Sequence, residues 1–290
     1  VVRTTYGYLK VIPTDLPMDQ FRQAVMDVMN AARTPGPDNV FVFMPAKAGA
    51  GASTAALNVT GALANRCGKS AILIEADLHS GPAGMYLNLE PTHTVVDALQ
   101  ASEHLDTNWN DFVTTVQNFS ILPAWNSRGS VPIVSPWAYR RLLAYTRQRY
   151  EYVIFDLPEV VNQATEVIVM AGKAVYMVCT PEVPSLMLAR RRTAALVERG
   201  MPKERLQIVL NRYSKNGPEP SAVAEILDSP ITQVIPNDYK SLWEANLKRQ
   251  LVAPASIVGK AFESFAWSLT GRAEPAKAAV RRFLGLFPAD

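Results

Sequence analysis

The sequence predicts an α/β fold: a doubly wound, mostly parallel sheet with helices on both of its faces. Short apolar runs rich in Val, Ile and Phe alternate with helical patterns between residues 40 and 269. Strands that are apolar along their whole length are buried on both faces, which is typical of parallel sheets covered by helices. With 290 residues, of which 48 % are hydrophobic, the chain is long enough to bury a large core.

Seven apolar runs are predicted strands, because each holds four or five residues of high β-propensity and ends at a polar or turn residue. They are residues 40–44, 71–74, 119–122, 152–155, 174–178, 207–210 and 231–235. Between and after them, apolar residues recur at helical spacing. The predicted helices cover residues 53–66, 94–116, 136–149, 184–199, 220–228 and 256–269. Ligands of such sheets bind beyond the carboxyl ends of the strands, so we expect the functional site there.

Three parts are expected along the chain. They are an N-terminal linker and helix over residues 1–37, the α/β domain over 38–272 and a C-terminal basic tail over 273–290. Within the first part, Phe21 and Val25 share one face of a helix predicted over 17–33, which a run of prolines and glycine ends. The net charge of +3, the two separated cysteines and the lack of an 18-residue apolar run indicate a cytoplasmic protein without a membrane span.

Small residues fill the loop between the first predicted strand and its helix. A strand, a small-residue loop and a helix form the setting of a P-loop, whose backbone N–H groups and helix N-terminus bind phosphate. The pattern asks for Gly at Ala46 and for Lys at Ala52, while Ser53 holds the position of the hydroxyl that binds Mg²⁺. The predicted nucleotide-binding residues are Lys47, Ala48, Gly49, Ala50, Gly51, Ala52, Ser53 and Thr54. The alternative is a small-residue turn that binds nothing.

Replacing the P-loop lysine by Ala52 removes a charge-assisted hydrogen bond to phosphate. Such a bond contributes roughly 1.5–3 kcal/mol, so its loss weakens nucleotide binding by about one or two decades unless another group compensates. Lys47, which precedes the glycines, is the candidate for that compensation.

Polar side chains stand where the predicted strands end, and parallel strands bring such residues to one edge of the sheet. Asp156 is placed beside the loop to hold Mg²⁺, and Asp77 to orient an attacking water or to contact the metal. Asn211 offers the donor and the acceptor that read the edge of a purine. Glu75 and Pro236 end two further strands. For each carboxylate or amide alone, the alternative is a helix cap or a turn residue.

In this order the motifs resemble the MinD/ParA superfamily of P-loop ATPases with a deviant Walker A loop, and within it the TadZ/CpaE group of Flp (type IVb, tight-adherence) pilus assembly proteins. The resemblance covers about residues 38–270. For the superfamily it rests on Lys47, Ser53, Thr54, Asn58, Glu75, Ala76, Asp77, Phe155, Asp156, Leu157, Pro158, Asn211, Arg212, Ile235, Pro236 and Asn237. For the group it rests on residues 77–99 and 180–191.

The resemblance implies a homodimer that encloses ATP or ADP with Mg²⁺ between two subunits. Lys47 would reach the phosphates of the partner subunit, and Asp77 would take part in water activation. Asp156 would lie near Mg²⁺ together with Ser53, while Asn211 and Pro236 would hold adenine. Because Ala52 departs from the pattern of active members, we expect nucleotide binding to survive more readily than hydrolysis.

The TadZ/CpaE group is associated with the cell pole, where it recruits the pilus secretion and assembly machinery. The resemblance therefore implies a cytoplasmic localisation factor at a pole or at the inner face of the membrane, with no nucleic acid as partner. Many members carry a receiver-like domain before the ATPase domain, and a linker-like start is consistent with such a domain upstream.

The tail over residues 276–287 is basic and amphipathic. Val280, Phe283 and Phe287 would share one helical face bordered by Arg281, a pattern typical of interfacial membrane anchors. It resembles the membrane-targeting helix of MinD, and the alternative is a last helix packed on the domain or on a partner. Two weak anchors in a dimer would bind far better than one, which would couple dimerisation to membrane attachment.

Three other functions compete with the scaffold. A working ATPase would use Lys47 across the dimer. A bacterial tyrosine kinase domain normally ends in a tyrosine cluster, but no Tyr follows Tyr239, and His79 stands where those kinases usually have Arg. A DNA-partitioning protein would need a basic surface, and the only dense basic run is residues 190–192, which fans over a helix surface.

Overall fold

The computed structural model describes Pro17 and residues 37–124 and 133–272. Its strands are β1 Val40–Pro45, β2 Ala71–Glu75, β3 Thr114–Val116, β4 Phe119–Leu122, β5 Tyr152–Asp156, β6 Ala174–Cys179, β7 Leu206–Tyr213 and β8 Ile231–Pro236. Its helices are α1 Ala52–Asn65, α2 Ala83–Leu87, α3 Val95–Gln100, α4 Leu105–Phe112, α5 Pro136–Arg149, α6 Gln163–Ala171, α7 Val183–Glu198, α8 Pro220–Leu227, α9 Tyr239–Leu247 and α10 Ile257–Leu269. A short 3₁₀ helix covers Lys203–Arg205. The predicted helix over 17–33 and the tail over 276–287 lie outside the described residues, apart from Pro17.

The eight strands form one sheet in the order β3-β4-β2-β5-β1-β6-β7-β8. Every neighbouring pair is parallel except β3 and β4, so the predicted mostly parallel, doubly wound sheet is confirmed. The strand β1 lies at the centre, paired with β5 on one side and β6 on the other. The chain reverses its direction of winding across β1, and such a switch point opens a crevice beyond the strand ends.

Helices cover both faces of the sheet, because the residues of each strand alternate between two apolar clusters. In β1, Val40, Val42 and Met44 pack into the cluster formed with α3 to α8. Phe41 and Phe43 point the other way, into the cluster formed with α1, α2, α9 and α10. Since β1 is apolar on both sides, it can be buried on both faces, which suits its central place in the sheet.

Two sequence expectations differ from the structure. The predicted helix over 94–116 is wrong in its last residues: α3 and α4 are separate helices, and Thr114–Val116 is an antiparallel edge strand. Two threonines and a valine favour an extended strand, and Gln117 at φ 52° supplies the turn into β4. The helices α2, α6 and α9 have no counterpart among the predicted elements.

Candidate functional site

The loop over residues 46–51 lies between the carboxyl end of β1 and the first turn of α1. The Ala46 N–H donates to the carbonyl of Val178 in β6 at 2.8 Å, which fixes the start of the loop on the neighbouring strand. Gly49 and Gly51 have φ of 78° and 94°, and Gly51 is the N-cap residue of α1. These left-handed residues let the backbone curl over the strand end, as a phosphate-binding loop requires.

The end of β7 braces this loop from the side. The Asn211 amide nitrogen donates to the Ala50 carbonyl at 2.8 Å, and the Arg212 guanidinium donates to the Gly49 carbonyl at 2.8 Å. A Cβ on Gly51 would collide with the Asn211 amide. The Asn211 amide oxygen accepts the Arg212 N–H at 2.9 Å. A primary amide has two N–H donors and two lone pairs, so Asn211 keeps capacity to bind a purine, and that role stays a prediction.

Asp156 lies beside the loop at the end of β5, paired in register with Phe43 of β1. The residue is only 1 % exposed, and burial raises the pKa of its carboxyl well above the usual value. A hydrogen bond with the Ser53 side chain opposes that rise, whereas the charges of Glu75 and Asp77 add to it. One oxygen of the Asp156 carboxyl has no hydrogen-bond partner within the described part of the chain.

A divalent cation fits this arrangement. A buried carboxylate oxygen without a partner is costly, and hard oxygen ligands of this kind are the ones Mg²⁺ prefers. The described ranges contain no group of three or more His, Cys, Asp or Glu side chains that could hold a metal alone. A magnesium ion at Asp156 and Ser53 would therefore complete its coordination with phosphate and water, as is usual for nucleotide sites.

The carboxylates at the end of β2 accept backbone N–H groups. Glu75 is fully buried and accepts the N–H groups of Ala83 at 2.7 Å and Ala124 at 2.9 Å. Desolvation raises the pKa of Glu75, and these two hydrogen bonds oppose the rise. Asp77 lies at the same sheet edge, half-buried, and accepts the N–H of Ser80 at 3.1 Å within a turn. Its turn role is therefore visible, and its catalytic role stays a prediction.

Lys47 points away from its own loop towards the start of α7. Its ammonium group lies 3.2 Å from the carboxylate of Glu182, and the two side chains are 38 % and 54 % exposed. An exposed pair of this kind is worth at most about 1 kcal/mol, so the lysine can be released without a large cost.

A second carboxylate enters the loop itself. Glu159, three residues after Asp156, accepts the Ala48 N–H at 2.8 Å. Arg192 of α7 holds Glu159 by an ion pair with its carboxylate and a hydrogen bond to its carbonyl. An anion thus already occupies one of the N–H groups that the sequence predicts for phosphate.

Pro236 ends β8, which is separated from β1 and its loop by β6 and β7. It is paired with Tyr213, the last residue of β7, and the Asn237 N–H donates to the Tyr213 carbonyl at 2.8 Å. Asp238 then caps α9 by accepting the Ser241 N–H at 3.1 Å. The loop, the end of β7 and Pro236 therefore lie along one edge of the sheet, as the sequence predicts for phosphate-binding and adenine-binding groups.

Sequence reasoning gave no role in the site to four side chains around the loop: Glu159, Glu182, Arg192 and Arg212. Glu159, Glu182 and Arg212 contact loop residues that are 111 to 163 residues away in the chain. Arg192 is positioned by its contact with Glu159. The available signal was position, since Glu159 directly follows the motif at the end of β5 and Arg212 directly follows Asn211.

Within the described ranges, no helix is both long enough and apolar enough to cross a bilayer.

No protein-family model matches the sequence. The septum site-determining protein MinD of Synechocystis sp. is 26 % identical over 248 residues, which cover 82 % of this chain and 91 % of that protein. A ParA family ATPase from Chlorobium tepidum has a TM-score of 0.74 at 25 % identity, covering 79 % of this chain and 99 % of the other. MinD from Pyrococcus horikoshii, in complex with Mg-ADP, has a TM-score of 0.66 at 22 % identity, covering 80 % and 95 %.

Proposed function

We propose that this chain, which has the fold of the MinD/ParA-type P-loop ATPases, is an atypical nucleotide-binding, dimerising scaffold. It would serve Flp (type IVb, tight-adherence) pilus assembly and secretion. ATP or ADP with Mg²⁺ is its ligand, and it turns ATP over slowly or not at all. It acts in the cytoplasm, at a cell pole or at the inner face of the membrane, and recruits pilus assembly proteins there.

The observation that carries the proposal is a phosphate loop built without its lysine. Ala52 is 2 % exposed at the start of α1, where the standard loop has its cation, yet Asn211 and Arg212 still brace the loop by hydrogen bonds to its carbonyls. Glu159 accepts the Ala48 N–H and the Lys47 carbonyl accepts the Ala50 N–H, so phosphate would bind the remaining N–H groups of the loop and the start of α1. The lysine that in the standard loop stabilises charge on a departing phosphate is replaced by Ala52, which favours binding over hydrolysis.

The residues present fit ATP with Mg²⁺. Backbone N–H groups of the loop would bind the phosphates, and Ser53 with Asp156 would hold the metal, whose charge neutralises the phosphate chain when bound. Asn211 and Pro236 would bind the adenine. In the relative from Pyrococcus horikoshii, the ligand named with the structure is Mg-ADP, which supports this choice.

The pilus assignment rests on the sequence. Residues 77–99 and 180–191 resemble the TadZ/CpaE group, and Ala52 is in keeping with the degenerate loops of that group. The basic tail over 276–287 is proposed to add a peripheral membrane contact, with two tails per dimer binding better than one. A chain ending at Arg272 should then pellet less with anionic vesicles than the full chain.

A working MinD/ParA-like ATPase is the second candidate. The similarity to MinD of Synechocystis sp. over 91 % of that protein favours it. Lys47 would then leave Glu182 and act across the dimer in place of a lysine at position 52. Steady-state phosphate release separates the two functions, with an Asp77→Ala variant reporting contaminating ATPases.

The experiment that tests the proposal is calorimetric titration with ATP and with ADP, each with and without Mg²⁺, while light scattering follows the molar mass. We expect Mg²⁺-dependent binding, a shift from monomer to dimer, and phosphate release no faster than that of the Asp77→Ala variant. A nucleotide that binds only the folded dimer stabilises that dimer. Absence of binding at millimolar ATP would contradict the proposal and leave the fold as a surface for partners.

A further inference from the structure

Arg212 reaches the phosphate loop because the backbone of β7 is distorted at this residue. The pairing of β7 with β8 shifts register between Leu210 and Tyr213, and Arg212 has φ 56°. A bulge of this kind re-aims a side chain, and a left-handed backbone at a non-glycine residue is unfavourable. Such local strain clusters at ligand sites, so the distortion that delivers Arg212 to the Gly49 carbonyl invites a functional explanation.

The charges around the loop single out this arginine. Lys47 is paired with Glu182 and Arg192 with Glu159, so both cations have a carboxylate partner. In the ranges that the structure describes, Arg212 forms no ion pair, and its guanidinium donates only to a neutral carbonyl at 2.8 Å. A guanidinium has five N–H donors, so one hydrogen bond to Gly49 fixes its place and leaves the others for a ligand.

The position of Arg212 also matches the course of a bound nucleotide. On one side it contacts the loop, where phosphate is proposed to bind, and on the other its neighbour Tyr213 is paired with Pro236, where adenine is proposed to bind. Asn211, the residue before it, is the proposed reader of the purine. The arginine therefore lies between the two ends of the nucleotide site.

We propose that Arg212 binds the phosphate chain of the nucleotide and supplies the positive charge that Ala52 removes from the loop. The inference rests on the proposed nucleotide binding and names the residue that keeps it possible. Arginine suits this role because it is always charged and presents several donors to phosphate oxygens. A P-loop without its lysine then keeps its affinity by a cation from the end of β7, on the same edge of the sheet.

The test compares the Arg212→Gln and Arg212→Lys variants by calorimetric titration with Mg-ATP. Glutamine keeps a donor for the Gly49 carbonyl and loses the charge, whereas lysine keeps both. Arg191→Gln, at an exposed arginine of α7, is the matched control for net charge. We expect Arg212→Gln to bind ATP about tenfold more weakly, Arg212→Lys to bind within about threefold of wild type, and Arg191→Gln to bind like wild type.

A second arm adds Ala52→Lys to each background. If Arg212 replaces the missing lysine, Ala52→Lys should restore ATP affinity to the Arg212→Gln variant and gain much less in the wild type. Equal affinity of wild type and Arg212→Gln would overturn the inference while leaving the proposed function standing. No ATP binding by the wild type would overturn both.

Discussion

At the residue scale, the buried carboxyl of Asp156 is a feature of the candidate site that costs the unliganded protein stability. Its carboxyl is buried at the end of β5, and one oxygen has no hydrogen-bond partner in the described part of the protein. Burial disfavours the charged form more than the hydrogen bond with Ser53 favours it, which is why the pKa of Asp156 is raised. A buried carboxyl whose free oxygen only a cation would satisfy lowers the stability of the unliganded protein, and such destabilising groups are common at functional sites.

Asp156→Asn should therefore stabilise the unliganded protein while abolishing the effect of Mg²⁺ on ATP binding. The substitution keeps the shape of the side chain and removes the buried charge. We expect a gain of about 1 kcal/mol at neutral pH, or about 2–4 °C in the melting temperature by calorimetry. Asp77→Asn, at a half-buried carboxylate of the same sheet edge, is the control and should not stabilise.

The same substitution has a defined pH dependence. A raised folded-state pKa means that the contribution of Asp156 to stability is fully present below its unfolded pKa, near 3.8, and is lost as pH rises through the raised value. Asparagine does not titrate, so the stability gap between Asp156→Asn and wild type should widen as pH rises from 4 to 8. A gap that narrowed would show that Asp156 is stabilised as a carboxylate.

Glu159 is the second carboxylate that acts on the loop, because it accepts the Ala48 N–H that phosphate would use. Glu159→Gln removes a negative charge there and releases the charge of Arg192. We expect Mg-ATP to bind about three- to tenfold more tightly, since one like charge near the phosphates is removed and one cation is gained. Titration should show no such gain for Glu225→Gln, at an exposed glutamate of α8; equal affinities for the two variants would contradict the expectation.

The elements were predictable where hydrophobicity alone determines them. Each of the seven predicted strands is present, because buried parallel strands are apolar along their length. The exception in length is β7, predicted over 207–210, which continues to Tyr213. Its last residues are polar, and they remain part of the strand through the irregular pairing with β8. The bulge that positions Arg212 is invisible to a pattern of apolar residues.

Short helices were harder to predict because side-chain caps, rather than periodicity, set their ends. Thr94 and Asp97 form a capping box at the start of α3, and Asn162 and Thr165 do the same for α6. A helix of five residues such as α2 has too few turns to show a repeat. For this reason the helical pattern over 94–116 concealed two helices and an edge strand.

At the scale of the whole molecule, the sheet order decides which residues meet. The sequence predicted that strand ends gather at one edge, and the loop, Asp156, Asn211 and Pro236 lie along it. It did not predict that α7 follows β6 closely enough to pair Glu182 with Lys47 and Arg192 with Glu159. Those ion pairs depend on β6 lying beside β1, a long-range pairing that no local pattern contains.

The Lys47–Glu182 pair leads to a prediction about assembly. In the single chain the lysine is held at 3.2 Å by an exposed carboxylate, a contact worth at most about 1 kcal/mol. If the proposed dimer forms around nucleotide, the phosphates of the partner subunit offer Lys47 a stronger partner in a site closed to water. Lys47→Ala should therefore abolish the ATP-dependent increase in molar mass, whereas Glu182→Gln should lower the ATP concentration needed for it.

The control for this prediction is Lys69→Ala. That lysine forms a 2.8 Å ion pair with Glu151 at the opposite edge of the sheet, before β2 and β5 begin. Both lysine variants should fold, because Lys47→Ala loses an exposed ion pair and Lys69→Ala loses one whose lysine side chain is 21 % exposed. Light scattering with saturating Mg-ATP then separates them. If Lys47→Ala dimerised as readily as Lys69→Ala, the expectation would be wrong. Lys47 would then only pair with Glu182 of its own chain, and dimerisation would not require it.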